Sequence, residues 1–226
     1  VGIFSLEMSS QQLVDRMLSA EAHVNAWKLR TGKIDTDDEF ERIRGAMERL
    51  SKAPIFIDAQ PATNALMMRS VARRLKRENG VGLIIVDYLQ LMTPTANRSS
   101  DSLVQQVTEI SRSLKTMARE LDVPVLALSQ LSRAIETRRG RPRLSDLRDS
   151  GSIEQDADVV MFIHNESKMN DAADKQNKVE ILVEKHRNGP TGKIELYFDE
   201  RRATFLPVDT SDFGPGVPVG PEKPSE

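Results

Sequence analysis

Apolar residues along this chain fall into short unbroken runs, separated by longer segments in which they recur every three or four positions. The runs are 1–6, Ile55-Phe56-Ile57, Leu83-Ile84-Ile85-Val86, Val125-Leu126-Ala127-Leu128 and Val159-Val160-Met161-Phe162-Ile163. All five predict strands; the unbroken, β-branched run 83–86 reads as buried on both faces, as in the middle of a parallel sheet, and 1–6 and 125–128 likewise read as buried. Between them the pattern predicts helices. Ser9 and Gln12 have capping-box spacing, and Leu13, Val14, Met17 and Leu18 supply the apolar face that follows. Further helices are predicted over 25–32, ended by Gly32, from Thr36 to about Leu50, and from Ala65 to Asn79, ended by Gly80. A long one carries Leu103, Val107, Ile110, Leu114, Met117 and Leu121, whose spacing alternates four and three and so lines one face.

After residue 178 the pattern changes. Val179 to Lys185, Lys193 to Phe198 and Ala203 to Leu206 read as strands joined by short turns, which favours antiparallel pairing at an edge of the sheet. Polar loops are expected over 92–102 and 165–177, and a loop rich in arginine over 133–151. Residues 1–207 are expected to form one domain, and the Pro/Gly-rich acidic stretch 208–226 a disordered tail. Strands alternating with helices place the domain in the α/β class, with a parallel central sheet.

Composition narrows the chemistry. The 226 residues carry a net charge of −2, so any nucleic-acid partner must be met by a local patch and not by an overall basic field. There is no cysteine, which excludes disulfides, thiolate metal sites and thiol nucleophiles. No apolar run reaches the length of a membrane span, and the cytoplasm, or an organelle matrix, is the expected location.

Candidate functional residues stand at the ends of the predicted strands. In an open parallel sheet, ligands sit beyond the carboxyl ends of the strands. Asp87 ends its strand there, where it would either hold a magnesium ion against nucleotide phosphates or cap the next helix. Glu7 closes the first strand, as a base for an attacking water or as a first-turn helix glutamate. Gln130 closes another, as a phosphate-sensing amide or an ordinary loop residue. Lys185 and Arg187 alternate so as to share one strand face, suiting either a pair of cations for phosphoryl transfer or a solvated strand end. Arg133, Arg138, Arg139, Arg141, Arg143 and Arg148 cluster with no aromatic among them. That composition suits contact with a phosphate backbone more than base stacking, and an unpartnered solvated loop is the alternative.

Several stretches together resemble the C-terminal motor domain of the bacterial replicative DNA helicases, the DnaB family. They are Phe4-Ser5-Leu6-Glu7-Met8-Ser9, Ile84 to Leu91, Glu109-Ile110-Ser111-Arg112-Ser113-Leu114-Lys115, Leu128 to Arg133, Leu147 to Asp158, and Lys185 to Gly192, in the family's order over about 1–206. The resemblance implies a RecA-like P-loop NTPase fold, ATP and magnesium as cofactors, and a homohexameric ring translocating 5′ to 3′ on single-stranded DNA. It implies a catalytic role for Glu7, a magnesium-side role for Asp87 and phosphate sensing by Gln130. Lys185 and Arg187 would reach the ATP of a neighbouring subunit, and Arg16 would lie near the nucleotide. Arg148, Asp149 and Gly151 would contact DNA, with Arg133 beside them. Asp149 stands where glutamate is expected, which keeps the charge and shortens the reach. Primase and a helicase loader are the further partners implied.

One departure is large. No Gly-x-x-x-x-Gly-Lys-Ser/Thr phosphate loop occurs in these residues, and Gly189-Pro190-Thr191-Gly192-Lys193 lacks the helix and hydroxyl that such a loop needs. The chain starts at Val1 in what reads as a strand, so it is expected to be a fragment beginning just downstream of that loop, and by itself to be inactive as an ATPase. Alternatives are a RecA/RadA-type recombinase, a primase–helicase of phage or organelle type, and a non-catalytic ring-assembly or binding module.

Overall fold

The fold is taken from a computed structural model, which describes residues 1–94, 103–132, 135, 138, 140–165 and 177–208. Most of the polar segments 92–102 and 165–177, Arg133, Arg139 and the tail after 208 lie outside the described residues. The order is β1 (Gly2–Ser5), α1 (Ser10–Ala22), α2 (Ala26–Thr31), α3 (Asp37–Lys52), β2 (Phe56–Asp58), α4 (Ala65–Asn79), β3 (Ile84–Asp87), a 3-10 turn (Leu89–Leu91), α5 (Leu103–Leu121) and β4 (Val125–Ala127). A 3-10 segment (Leu144–Ser150), α6 (Gly151–Asp156), β5 (Val159–His164), β6 (Lys178–His186), β7 (Gly192–Asp199) and β8 (Thr204–Pro207) follow.

Helix boundaries follow local chemistry. The Ser9 side chain accepts from the Gln12 amide at 3.3 Å while Gln12 Oε1 accepts from the Ser9 amide at 3.0 Å, completing the capping box of α1. At α3 and α4 the cap is one-way: Thr36 Oγ1 accepts from the Glu39 amide at 3.2 Å and Asn64 Oδ1 from the Met67 amide at 2.9 Å. Gly80 ends α4 at φ 61°, a left-handed conformation that a side chain would strain.

The α/β architecture stands, with its strands in two sheets. The first is wholly parallel in the order β2-β1-β3-β4, and the second is antiparallel in the order β5-β6-β7-β8. The antiparallel strands therefore hydrogen-bond to one another as a sheet of their own, with β4 and β5 as edge strands.

The expected burial of β1, β3 and β4 holds for one face. Ile84, Val86 and Phe4 pack against Met68 and Ala72 of α4 and Ile110, Leu114 and Met117 of α5. On the other side Ile85 is half-buried, and Leu126 and Leu128 are 41% and 43% exposed. The reason is where the helices go. Helices α4 and α5 cover one side of the sheet, whereas α1, α2 and α3 build a small core of their own around Ala22, Val24 and Ala46. A second core gathers Leu147, Val160, Phe162 and Leu182, and Ile153 of α6 packs against both it and the first.

The segment expected as a loop to residue 151 is helical from Leu144 onward. Asp146 explains the difference. It is buried, accepts from the Arg143 amide at 2.7 Å, and pairs with Arg138 at 2.8 Å. A carboxylate thus satisfies the first turn while Leu147 enters the core.

Candidate active site

Three of the strand-end residues arrive at one edge because β1, β3 and β4 are parallel and adjacent. Ser5 and Asp87 are register partners, and the Leu6 amide donates to the Asp87 carbonyl at 2.7 Å. Ser5 Oγ donates to the Met8 carbonyl at 2.8 Å and accepts from the Met8 amide at 3.2 Å. Those bonds fix the bend between β1 and α1 on which Glu7 sits, exposed to solvent. Arg16 is exposed on the helix that this bend starts. Asp87 is half-buried, and its peptide to Tyr88 is cis.

Gln130 follows β4 and is exposed. Beyond the last ladder pair, the Leu128 amide donates to the Val86 carbonyl at 2.9 Å and the Leu89 amide to the Leu128 carbonyl at 3.0 Å. Gln90 then holds the next residues. Its Nε2 donates to Ser129 Oγ at 2.9 Å and to the Gln130 carbonyl at 3.2 Å, while its Oε1 accepts from the Gln130 amide at 3.2 Å. The Gln130 backbone is clamped, and its side chain is left for other work.

Among the described residues, the side chains of Glu7, Arg16, Asp87 and Gln130 make no hydrogen bond or ion pair. Charged and amide side chains left unbonded at or beside the end of a sheet are available to a ligand. Asp87 is the only one of these carboxylates that is partly shielded from solvent. A single such carboxylate, open to water, fits a magnesium ion bound mainly through water. Among the described residues there is no cluster of three or more His, Cys, Asp or Glu of the kind that cages a metal outright.

Lys185 lies near the end of β6 and Arg187 one residue past it, and neither makes a bond to these residues. Lys185 Nζ donates to the Glu154 carbonyl at 2.5 Å. Arg187 Nη1 pairs with Asp158 Oδ1 at 3.0 Å, its Nη2 reaches the Gln155 carbonyl at 3.4 Å, and its amide donates to the Asp158 carbonyl at 2.8 Å. The two cations therefore share a face, against the C-terminal end of α6. Lys115 of α5 pairs with the other oxygen of Asp158. The Lys115 hydrogen bond, with the charges of Arg187 and Lys185 behind it, holds the Asp158 carboxyl below the usual aspartate range. Just past Arg187 the chain turns. His186 Nδ1 lies 3.2 Å from the Pro190 carbonyl, and a Cβ at Gly189 would come within 2.4 Å of the His186 ring, so only glycine lets the ring lie there.

Of the residues expected at DNA, Arg148 and Asp149 fall in the 3-10 segment and Gly151 opens α6. Arg133 lies outside the described residues. Two other arginines of the cluster are committed elsewhere. Arg138 binds Asp146, and Arg141 binds Glu180 through two parallel bonds of 2.8 and 2.7 Å.

Sequence reasoning missed Gln90, Asp158, Ser111 and Lys115. A signal for the last two existed, since Ser111 and Lys115 are four apart and share a helix face. Ser111 Oγ donates to Asp156 Oδ2 at 2.7 Å, so the two α5 residues grip the last residue of α6 and the acid two positions beyond it. For Gln90 and Asp158 the partners are remote in sequence, and no local pattern announces them.

Comparison with known proteins accords with this geometry. Residues 1–207 match the family model described as the DnaB-like helicase C-terminal domain. The replicative DNA helicase DnaB of Geobacillus stearothermophilus is 48% identical over 221 residues, covering 97% of this chain and 48% of the relative. The replicative DNA helicase DnaC of Bacillus subtilis (strain 168) is 47% identical with the same coverage. The chain thus spans about half the length of these relatives. Among solved structures, a DnaB-like replicative helicase, described with its interactions with primase, superimposes with a TM-score of 0.86 at 36% identity, over 92% of this chain and 50% of that one. A second solved structure, that of an isolated ATPase domain, gives the same score and identity over 92% of this chain and 74% of that one. The parallel sheet with its flanking helices is therefore the RecA-like ATPase core of such helicases, and the chain belongs to the DnaB-like helicase C-terminal domain family.

Proposed function

We propose that this chain is the motor part of an ATP-driven replicative DNA helicase subunit. The observation that carries this reading is the convergence of Glu7, Asp87 and Gln130 at the carboxyl edge of one parallel sheet, each with a side chain that makes no hydrogen bond or ion pair among the described residues. Glu7 Oε would take the proton from the water that attacks the terminal phosphate. Asp87 would hold magnesium, which offsets phosphate charge when bound. Gln130 would read the terminal phosphate through its amide, with its backbone held by Gln90. Arg16 would lie beside the nucleotide.

Lys185 and Arg187 would serve the nucleotide of an adjacent subunit in a homohexamer. Their separation from the strand-end residues within one chain supports this, because a cation meant for a neighbour's site has no reason to meet its own. Single-stranded DNA would be held by Arg148, Asp149 and Gly151, with Arg133, and translocation would run 5′ to 3′. Primase and a helicase loader would bind the assembled ring, which would work in the cytoplasm.

The glycine-rich phosphate loop would come from the part of the relatives' length that this chain does not span. The free edges of β4 and β5 support this, since Leu126, Leu128, Met161 and Ile163 leave apolar surface beside strands that can each accept another. The family match favours no recombinase. A non-catalytic assembly module remains the second reading, favoured by the lack of a phosphate loop in these residues.

The deciding experiment is a magnesium-dependent ATPase and strand-unwinding assay on the full-length subunit, with Asp87→Asn beside it. Turnover that collapses in the variant supports the motor reading. Wild-type protein that forms rings yet neither hydrolyses ATP nor unwinds DNA supports the module.

A further inference from the structure

The residues that hold Arg187 form a chain of contacts that no catalytic role yet uses. Asp158 divides its carboxylate, with Oδ1 on Arg187 and Oδ2 on Lys115. Two residues earlier, Asp156 is held by Ser111. Helix α5 thereby grips the end of α6 and the residues just past it from one side. On the other, the last carbonyls of α6 hold Lys185 and Arg187. The same short helix begins at Gly151, within the segment expected at DNA.

Stability alone does not account for the arrangement. The side chains of Arg187 and Asp158 are 51% and 53% exposed, and exposed ion pairs contribute little to folding. The geometry does matter for direction. A guanidinium has five N–H donors in a rigid plane, so fixing Nη1 fixes where the others aim.

We propose that Asp158 is the positioning residue of the arginine finger. It holds Arg187 by Nη1, with Lys115 bracing its second oxygen and the Gln155 carbonyl taking one Nη2 donor, so that the orientation of the guanidinium plane is set and its uncommitted donors are the ones available to a neighbour's phosphate. Because α6 joins the DNA segment to the carbonyls that hold both cations, DNA seated at Gly151 reaches the finger through this same bracket. The inference rests on the trans reading of Lys185 and Arg187.

The test uses full-length hexamers carrying Arg187→Ala, Asp158→Ala, Asp158→Asn or the double change Asp158→Ala/Arg187→Ala. Arg187→Ala is expected to abolish hydrolysis while sparing assembly. Asp158→Ala is expected to lower kcat at least about 10-fold with KM for ATP little changed, the signature of a group acting in the transition state. Asp158→Asn, which keeps an acceptor oxygen, is expected to fall between it and wild type. DNA stimulation of turnover is expected to shrink in step, and the double variant to be no worse than Arg187→Ala, since the two residues act as one unit. In mixed rings, Asp158→Ala subunits are expected to depress the site of the adjacent wild-type subunit and not their own. If Arg187→Ala is inactive while both Asp158 variants keep kcat within about 2-fold of wild type, the positioning role is overturned and the finger stands. If Arg187→Ala itself hydrolyses ATP normally, the finger reading falls and this inference with it. Should Asp158→Ala fail to assemble, Asp158→Asn decides by the same kcat criterion.

Discussion

Ser5 and Asp87 face each other across the parallel strands β1 and β3, and the next amide, that of Leu6, donates to the Asp87 carbonyl at 2.7 Å. Glu7 therefore stands one residue beyond a bond that ties the two strand ends together. Changing Glu7 to Gln in the full-length subunit removes the proposed base and keeps the shape. Turnover is expected to fall by about 10²–10⁴, the usual range for a general base. Nucleotide affinity, followed by titration with a fluorescent ATP analogue, is expected to hold. Unchanged turnover in this variant would remove Glu7 from the chemistry.

Gln90 makes a different prediction, because it touches Gln130 only through the backbone and Ser129. Gln90→Ala breaks all of these bonds and costs about 1 kcal/mol of stability for a typical net hydrogen bond. The larger expected effect is on the coupling of hydrolysis to DNA. With the Gln130 segment loosened, the ratio of DNA-stimulated to basal ATPase should drop toward one while nucleotide binding persists. A variant with normal stimulation would show that the clamp serves folding alone.

The 226-residue chain by itself contains no glycine-rich phosphate loop. It is expected to show no appreciable magnesium-dependent ATPase, whereas the full-length subunit turns over. A coupled-enzyme assay on both at equal concentration checks this. Turnover by the isolated chain at the level of an intact motor would mean that another element cradles the phosphates.

The ion pairs of Asp158 give stability a pH dependence of known sign. Lys115 first, then Arg187 and Lys185, lower its folded-state pKa. A depressed carboxylate contributes above its unfolded pKa, near 3.9, and the contribution is lost as pH falls through the lower folded value. The gap in urea midpoint between wild type and Asp158→Asn is therefore expected at neutral pH and should close in strong acid. It will be small, because the group is half exposed and screened by solvent. A gap that widened on acidification would contradict the pairing.

Stability should also report the one-sided core. Met68 is fully buried between α4 and the sheet, and Met68→Ala is expected to cost roughly 2–5 kcal/mol. Leu126, on β4, is 41% exposed, and Leu126→Ala in this chain should cost far less than that. Chemical denaturation of the two variants distinguishes the faces. Equal losses would place a second packed layer over β4.

The sequence by itself determined most of the local elements and singled out the polar residues at the strand ends. Helix α4 runs from Ala65 to Asn79 as its periodicity and Gly80 require, because capping and amphipathic spacing act within a few residues. Glu7, Asp87 and Gln130 were legible for a similar reason, each being the polar residue that ends an apolar run. The helix over 144–156 was not legible, since it depends on Asp146 meeting Arg138 and on Leu147 entering a core made by distant strands. Only the tertiary structure decided which faces of the sheet are covered, that the antiparallel strands form their own sheet, and that Gln90 holds Gln130. It alone revealed that Asp158 joins Lys115 to Arg187. Those relationships are contacts between residues far apart along the chain, and a contact of that kind exists only once parallel register and packing have brought its two ends together.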